Sequence, residues 1–511
     1  MRRFTLLFAL VFPMARVAAA AAQAPRPARA PATSAAARAA ATITAADVTR
    51  RIGLIADDSM LGRDTPSRGL ELTAQYVADE FRRLGLKPGG DEGTFMQRYA
   101  ITRRKVDIDS SAVVLRGAGG ESRFPLNATA RLAQGSVPAT PVTGNLVLFG
   151  GAVSAGDAAK VPFKGRVVLV VADQAREGTQ ALLRDLVLGG AGAILLPSGA
   201  DSVTFASRLA GQTRERTAVD LGDGQPPILL VLGRKLAPAL VPAGVDLAQT
   251  RASTSPITRE LADVSAEVAL REIVVSSETA PNTIGILEGT DPKLKHEYVL
   301  FTAHMDHIGI TPGAADSINN GADDDASGTA GVIELAEAFS QPGARPRRSL
   351  VFMTVSGEEK GLWGSHYWSE HPTLPIKDVV ADINMDMIGR NWPDTIVAIG
   401  REHSDLGATL AKVNRQHPEL RMTALDDRWP EERFYFRSDH YNFARKGVPI
   451  LFFFNGVHED YHQPSDAPAK VNAEKESRIL RLVYYLGSAV ANSAQRPKWN
   501  PDSYREIVEE Q

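Results

Sequence analysis

Histidine and carboxylate residues follow three apolar runs within one stretch of this sequence. These are His304 after Tyr298 to Ala303, Glu358 and Glu359 after Ser349 to Val355, and Asp386 after Val379 to Met385. Two further candidates, Asp324 and His462, lie in turn-like segments that contain serine with glycine or proline. Imidazole nitrogens and carboxylate oxygens are ligands for zinc and other divalent first-row metals. Because the chain has no cysteine, any metal must be held by residues of these types.

The five candidate ligands are more than one metal ion needs. They are His304, Asp324, Glu359, Asp386 and His462. Three protein ligands are enough for one catalytic zinc with an open position. Five fit two ions that share a bridging carboxylate, as in a hydrolase that holds an attacking oxygen between ions about 3.5–4 Å apart.

Each candidate has an ordinary interpretation when it is taken alone. His304 can be a polar residue at a strand end, and Glu358 and Glu359 can be a surface pair. The aspartates from 323 to 325 can form a solvated turn or a calcium loop, although their spacing does not match an EF-hand. Their joint placement at the ends of successive strands is what indicates a metal site.

Three other residues are placed to assist the chemistry. Adjacent residues after a strand point in different directions, so one of Glu358 and Glu359 is expected to bind metal and its neighbour to act as general base. Asp306 is spaced to accept the second imidazole N–H of His304, unless it is a capping or surface aspartate. The Tyr461 hydroxyl can donate to a developing oxyanion, or its ring can serve in packing.

The three apolar runs are short and rich in β-branched residues, and helical patterns lie between them. This pattern predicts a mixed, largely parallel sheet covered by helices on both faces. In such sheets, ligands bind beyond the carboxyl ends of the strands, where the candidate residues lie. Other elements predicted here are helices over Asp47 to Ala56, Leu70 to Leu86, Thr329 to Phe339, Ser404 to Gln416, Asp439 to Arg445 and Glu474 to Ala491, and strands over Asn282 to Gly289 and Pro449 to Phe454.

The segment from residue 110 to about residue 270 has a different sequence pattern, with shorter apolar runs and frequent turns. Its predicted elements are strands over Gly144 to Gly150, Lys164 to Val171 and Gly192 to Pro197, and a helix over Thr179 to Leu188. The glycines between 189 and 192 precede a strand instead of opening a helix, which argues against a dinucleotide-binding loop. We find no catalytic constellation here and interpret the segment as an insertion in a discontinuous catalytic domain.

Length and charge limit the remaining possibilities. A chain of 511 residues predicts two or three domains. The formal net charge of -3 offers no field that would attract nucleic acid or anionic lipid. The sequence leaves the oligomeric state open.

The N-terminus predicts a cleaved export signal. Arg2 and Arg3 precede an apolar run from Phe4 to Phe12, and small residues follow at Ala18 to Ala22. Pro13 interrupts the run well short of the ~20 apolar residues that a membrane span needs. We therefore expect an exported protein, periplasmic or extracellular, with no stable membrane insertion after signal cleavage.

The motifs around these residues resemble a zinc-dependent exopeptidase family, the one that contains the bacterial double-zinc aminopeptidases and glutamate carboxypeptidase. The matched motifs are Ala303-His-Met-Asp306, Gly321-Ala-Asp-Asp-Asp-Ala-Ser-Gly328, Ser356-Gly-Glu-Glu-Lys-Gly361 with Gly364-Ser365, Asn384-Met-Asp-Met-Ile-Gly389, Arg437-Ser-Asp-His440 and Tyr461-His-Gln463. They occur in family order over residues 282 to 490. The segment from 110 to 270 resembles the protease-associated domain through its Lys164-Gly-Arg-Val-Val168 strand and the glycine-rich strand after it.

The resemblance implies a role for each matched residue. Asp324 would bridge two Zn2+ ions, with His304 and Asp386 completing one site and Glu359 and His462 the other. Glu358 would be the general base and Asp306 the partner of the His304 ring. The resemblance also implies a cis peptide bond between Asp324 and Asp325.

The function implied is that of a secreted di-zinc exopeptidase acting on peptides, an aminopeptidase that uses metal-activated water with Glu358 as base. A carboxypeptidase or dipeptidase of the same fold is the alternative, since Arg390, Arg428, Arg433 and Arg437 could hold a substrate carboxylate. A glutaminyl cyclase would need one zinc, and a receptor-like relative would have lost ligands. Neither fits a complete ligand set.

The fold implied is a mixed α/β zinc exopeptidase, or phosphorylase/hydrolase-like, fold with an inserted β-rich protease-associated domain. The predicted boundaries are 1–24 for the signal, 25–41 for a disordered Ala/Pro-rich segment, 42–109 and 271–495 for the peptidase domain, 110–270 for the insertion and 496–511 for a C-terminal tail.

Overall fold

The computed structural model describes residue 1 and residues 34–135, 137–198, 202–209, 214–219, 228–233 and 240–510. The predicted signal segment, apart from Met1, lies outside these ranges. Within them, no helix combines the length and apolar character that a membrane crossing requires.

The strands form two sheets. In chain order they are β1 Lys87–Pro88, β2 Met96–Val106, β3 Ala112–Gly117, β4 Gly120–Pro125, β5 Ala130–Gln134, β6 Val142–Gly151, β7 Val167–Val171, β8 Ala193–Pro197, β9 Arg216–Val219, β10 Ile228–Leu232, β11 Pro256–Ala269, β12 Glu272–Leu287, β13 Tyr298–His304, β14 Ser349–Val355, β15 Val379–Met385, β16 Thr395–Ile399, β17 Thr423–Leu425 and β18 Ile450–Phe454. The first sheet has the order β17-β16-β18-β15-β13-β14-β12-β2-β9, with β1 paired to β12.

The α-helices pack mainly around this first sheet. They are α1 Ala35–Ala40, α2 Ala45–Ile55, α3 Arg68–Arg83, α4 Glu177–Leu188, α5 Ser202–Leu209, α6 Leu247–Ala252, α7 Gly328–Phe339, α8 Trp363–Glu370, α9 Leu406–Gln416, α10 His440–Ala444, α11 Ala473–Asn492 and α12 Pro501–Tyr504. Helices α2, α3, α7 and α11 contribute to one apolar core and α8 and α10 to another, each shared with strands of the sheet. The predicted α/β fold with helices on both faces is confirmed.

Parallel pairing is concentrated at the centre of the first sheet. Strand β13 pairs in parallel with β14 and β15, and β15 pairs in parallel with β18. On one side, β12 runs antiparallel to β14 and forms a long antiparallel pair with β2. The sheet is therefore mixed, and its parallel part is the part that carries the site.

The second sheet comes from the segment predicted as an insertion. Its order is β4-β3-β11-β6-β7-β8-β10-β5. One strand of that segment, β9, instead joins the edge of the first sheet beside β2. The domain boundaries and the protease-associated assignment stay predictions.

Two terminal predictions need correction. The composition predicts disorder through residue 41, but helix α1 ends that segment and buries Ala39 and Ala40 in the apolar core shared with the first sheet. The residues after 495 are predicted to form a separate tail, yet they include α12 and a further helical turn, whose Ile507 is 2% exposed. In both places a few apolar side chains dock a short helix against the rest of the fold.

Candidate metal centre

Three neighbouring strands of the first sheet deliver most of the candidate ligands to one edge. His304 is the last residue of β13, Asp386 directly follows β15, and Glu358 and Glu359 follow β14. Strands β14, β13 and β15 are adjacent and parallel, so their carboxyl ends coincide. The strand ends therefore bring these side chains together, as the sequence predicts.

Asp324 reaches the same place from the turn that precedes α7. Its two neighbours are held by main-chain N–H groups: Asp323 accepts from Gly389, and Asp325 accepts from His304, Gly328 and Met387. The peptide bond between Asp324 and Asp325 is cis, as the resemblance implies. Both flanking carboxylates are engaged in holding the turn, and Asp324 is the one that contacts His304 and His462.

The first cluster consists of His304, Asp324 and Asp386, all buried. The Nε2 atom of His304 lies 3.2 Å from Oδ1 of Asp324 and 3.6 Å from Oδ1 of Asp386. The hydroxyl of Ser438 donates to the other oxygen of Asp386 at 3.0 Å. Each group thus offers one atom to a common point.

The second cluster uses the other oxygen of Asp324. The Nε2 atom of His462 lies 3.2 Å from Oδ2 of Asp324 and 3.0 Å from Oε2 of Glu359. A further histidine, His307, also belongs here, with Nδ1 2.9 Å from Oε1 of Glu359. Asp324 therefore lies between the two clusters and presents one oxygen to each.

The carboxylates of the two clusters favour a bound cation. Burial lowers the pKa of His304, but the carboxylates around it, Asp386 first, raise it well above its usual value. Burial likewise opposes protonation of His462, yet its contacts with Asp324 and Glu359 raise its pKa to about 10. Buried charges persist when they are paired or bind a metal.

The donor atoms also fit a metal. Among the described residues, Oδ2 of Asp324 and Nε2 of His462 are buried and find no hydrogen-bond partner of good geometry. Imidazole and carboxylate donors at this spacing suit zinc. The donor atoms of these clusters therefore fit zinc.

Asp306 lies beside the His304 ring, and its main-chain oxygen is nearer to Nδ1 than its carboxylate is. The Nδ1 atom of His304 is 3.2 Å from the main-chain oxygen of Asp306 and 3.7 Å from its carboxylate. The carboxylate instead accepts from the Thr65 hydroxyl and the Glu358 main-chain N–H. Asp306 thus links the His304 ring, through its carbonyl, to the segment that carries Glu358.

Glu358 and Tyr461 line the cavity above the first cluster. Other residues that line it are His304, Asp324, Asp386, Met387, Phe434, Arg437, Ser438, Phe452, Phe454 and Val457. Burial, together with negative charges that include Asp439 and Asp386, raises the pKa of Glu358 well above its usual value. The Tyr461 ring stacks on His462, with 3.8 Å between ring centroids. Both residues are placed where a substrate would lie.

Sequence reasoning missed His307, Ser438 and Arg63. His307 directly follows Asp306, close to the end of the strand that carries the candidate ligand His304. This position could have indicated that His307 lies near the site. Arg63 is fully buried and donates to the carbonyl oxygens of Met305, Ile55, Asn320 and Gly321, which ties the helical turn Asp58–Arg63 to both ligand loops. No local pattern in the sequence indicates that long-range contact.

Comparison with known proteins gives a family match and several partial relatives. Residues 282–487 match peptidase family M28. Leupeptin-inactivating enzyme 1 of Streptomyces exfoliatus is 28% identical over 214 residues, covering 40% of this chain and 43% of that protein. A probable leucine aminopeptidase of Arthroderma benhamiae is 29% identical over 222 residues, covering 42% of this chain and 58% of that protein. This chain thus spans about half the length of these curated relatives.

Among solved structures, an aminopeptidase from Aneurinibacillus sp. strain AM-1 is similar at a TM-score of 0.46 and 18% identity. That match covers 90% of this chain and 97% of the other.

Proposed function

We propose, on the match of residues 282–487 to peptidase family M28, that this protein is a di-zinc metallo-exopeptidase that removes amino-terminal residues from peptides. The observation that carries the proposal is the position of Asp324, which offers one carboxylate oxygen to each of two clusters. The contacts of Asp324 with His304 and with His462 support the proposed bridge between two ions.

The zinc ions, when bound, supply Lewis acidity and an activated water. The residues of the chain do the rest. The raised pKa of Glu358 suits a group that takes a proton and returns it to the leaving amine. Tyr461, across the cavity, is placed to donate its hydroxyl to the carbonyl oxygen as negative charge develops there.

The cavity favours an apolar first residue in the substrate. Its wall beside the first cluster includes Met387, Phe434, Phe452, Phe454 and Val457. Burying a leucine or phenylalanine side chain against such a wall contributes roughly 1.5–3 kcal/mol. We therefore expect leucine-like or aromatic amino-terminal residues to be cleaved fastest.

A carboxypeptidase is less well supported, because Arg437 alone of the four candidate arginines lines the cavity. Arg437 lines the cavity, but it contacts Glu432 and lies over the Phe434 ring. Arg390 is paired with Asp460 at 2.8 Å, and Arg433 lies over the Phe436 ring. A substrate carboxylate would therefore meet one engaged guanidinium instead of a cationic cluster.

The export proposal rests on the amino-terminal sequence. The charged start and the apolar run to Phe12 support secretion to the periplasm or beyond. Peptides in that compartment are the substrates that we propose.

The direct test combines metal analysis with a peptide digest. We expect close to two zinc equivalents per chain, loss of activity on chelation and recovery with added zinc. A library of peptides with free or blocked amino termini should be shortened from the free amino end, and fastest when the first residue is apolar.

Trimming from the carboxyl end would replace the aminopeptidase proposal by the carboxypeptidase alternative. Full activity with a single bound zinc would rule out the bridging role of Asp324. The matched control is a peptide set with acetylated amino termini, which an aminopeptidase should leave intact.

A further inference from the structure

His307 is a buried histidine of the second cluster, where its ring could hold a metal together with Asp324 and Glu359, and the ligand assignment gives it no role. Its side chain is 0% exposed. Its Nδ1 atom lies 2.9 Å from Oε1 of Glu359, whereas Oε2 of the same carboxylate faces His462 at 3.0 Å. One glutamate is therefore held at each oxygen by a different histidine.

His307 can act in this cluster in two ways, as a metal ligand or as a hydrogen-bond donor to Glu359. A ligand nitrogen must be unprotonated, so a neutral imidazole that binds metal through Nδ1 carries its proton on Nε2. Metal-binding histidines normally donate that other N–H to an acceptor. His304 follows this pattern, since its Nε2 faces the cluster and its Nδ1 faces the carbonyl of Asp306.

The surroundings of Nε2 in His307 favour the second role. This atom is buried and, among the described residues, has no hydrogen-bond partner. Binding metal through Nδ1 would leave a buried N–H unpaired there, which is rarely tolerated. A proton on Nδ1 leaves only a lone pair unpaired at Nε2 and places a donor 2.9 Å from the Glu359 carboxylate.

The ring has little freedom to turn. A Cβ atom on Gly321 would lie 2.6 Å from Cγ of His307, so the main chain at Gly321 packs closely against the ring. The His462 ring meets it edge-on at 5.6 Å between centroids. The main-chain N–H of His307 is bonded to the carbonyl of Arg63. These contacts fix the direction in which Nδ1 points.

We propose that His307 is a positioning residue that donates its Nδ1–H to Oε1 of Glu359 and thereby turns Oε2 toward the second metal. The inference rests on the proposed function in one respect, the assignment of Glu359 as a zinc ligand. It adds that the second zinc site depends on a histidine that does not bind the ion.

The test compares three variants for zinc affinity, measured by competition with a chromophoric chelator in the absence of substrate. In His307→Asn the side-chain amide nitrogen is attached to Cγ, as Nδ1 is in histidine, so it can replace the donor. His307→Gln places its amide one carbon further out, and His307→Ala removes the donor altogether.

We expect His307→Ala and His307→Gln to weaken the second zinc by about 10–100-fold, the usual effect of losing such a partner. His307→Asn should retain most of the affinity, and the first zinc should be unchanged in all three. The control is His403→Ala, which removes a histidine that contacts Ser503. It controls for general effects of losing a histidine and should bind both ions normally.

Two further results decide between the roles. In a Glu359→Gln background, His307→Ala should add little, because the residue acts through Glu359. X-ray absorption should show the same imidazole content around zinc in the native protein and in His307→Asn. A loss of imidazole signal in His307→Asn would make His307 a ligand, and unchanged affinity in His307→Ala would overturn the proposal. Zinc affinity is measured without substrate. An absence of peptidase activity would therefore contradict the proposed function without deciding the role of His307.

Discussion

Glu358 and Glu359 are adjacent residues with identical side chains and different surroundings. Glu359 contacts His307 and His462 through its two oxygens. Glu358 lines the substrate cavity, where burial and nearby carboxylates raise its pKa. The turn after β14 thus sends one carboxylate to the second metal cluster and the other to the cavity.

Replacing each of these glutamates by glutamine should give different defects. Glu358→Gln keeps the shape of the side chain but cannot take a proton, so kcat should fall by about 10²–10⁴-fold with zinc content unchanged. Glu359→Gln replaces an anionic oxygen by a neutral one, so zinc should be lost on dialysis and excess zinc should partly restore activity. Zinc content and kcat, measured together on each variant, check both expectations.

Rescue of Glu358→Gln by zinc would exchange the two roles. Glu370→Gln provides a matched control, because that glutamate pairs with Arg445 and Lys446 away from the cavity. Its zinc content should stay at the native value.

At the residue scale, the sequence alone indicated the candidate ligands whose residue type and spacing are typical of metal binding. His304, Glu359 and Asp386 could be found because each stands at the end of an apolar run. The assignment of these side chains to individual metals stays a prediction until zinc is measured. His307 and Arg63 were missed because their roles depend on contacts across the fold, such as the bond from Arg63 to the carbonyl of Gly321.

At the scale of elements, the turn before α7 and the ends of β13 and β15 form one connected unit. Asp325 accepts N–H groups from both strand ends, and Asp466 accepts the N–H groups of Asp323 and Asp324. Ser438, which precedes α10, donates its hydroxyl to Asp386 at 3.0 Å. The metal site is therefore stabilised by main-chain hydrogen bonds between elements as much as by its own charges.

Helix α10 carries an acid-sensitive residue, His440. Its ring stacks on Phe452, its Nε2–H donates to the carbonyl of Tyr435 at 2.8 Å, and burial lowers its pKa to about 3. An unfolded chain binds the proton at about pH 6.5. The stabilisation by neutral His440 is therefore complete above that pH and is lost as the pH falls toward 3, by up to about 1.4 kcal/mol per unit.

His440→Phe should reduce this dependence, because it keeps the stacking and removes the titrating group. Urea unfolding in the presence of a chelator, at pH 7.5 and pH 5, measures the free energy of unfolding without the zinc contribution. The variant should lose less stability between the two pH values than the native protein, although the unpaired Tyr435 carbonyl lowers its stability at both. His296→Gln, an exposed histidine, is the control. Equal pH dependence in His440→Phe and the native protein would contradict the argument.

At the scale of the whole molecule, the chain leaves the first sheet after β2 and, apart from the short strand β9, returns to it at β12. The strands β2 and β12 form a long antiparallel pair. Strands β2 and β12 pair from Met96 with Thr283 to Val106 with Glu272. The segment between Val106 and Glu272 contains the second sheet and the short strand β9. The sequence alone indicated the change of sequence pattern near residue 110, but not this pair, because arginines on the exposed face of β2 interrupt its apolar pattern.

The pairing of Val106 with Glu272 suggests how to remove the intervening segment. Deleting residues 107–271 and joining the two strands through Asn-Gly closes an ordinary two-residue hairpin. All five candidate ligands lie outside the deletion. We expect the shortened protein to fold and to bind zinc with the stoichiometry of the full chain, measured by elemental analysis.

The deletion should also lower stability in a way that can be traced to one strand. Removing β9 uncovers the edge of β2 from Ile101 to Arg104, and exposed edges promote association between chains. Arg103, Arg104 and Lys105 on that edge oppose such association, so a soluble monomer of reduced melting temperature is the expected product. A matched chain with Thr102→Lys, which adds charge to the same edge, should be more soluble and bind zinc equally. If the deleted chain were folded and soluble but bound no zinc, the segment would be part of the metal-binding unit and the proposed division of the chain would be wrong.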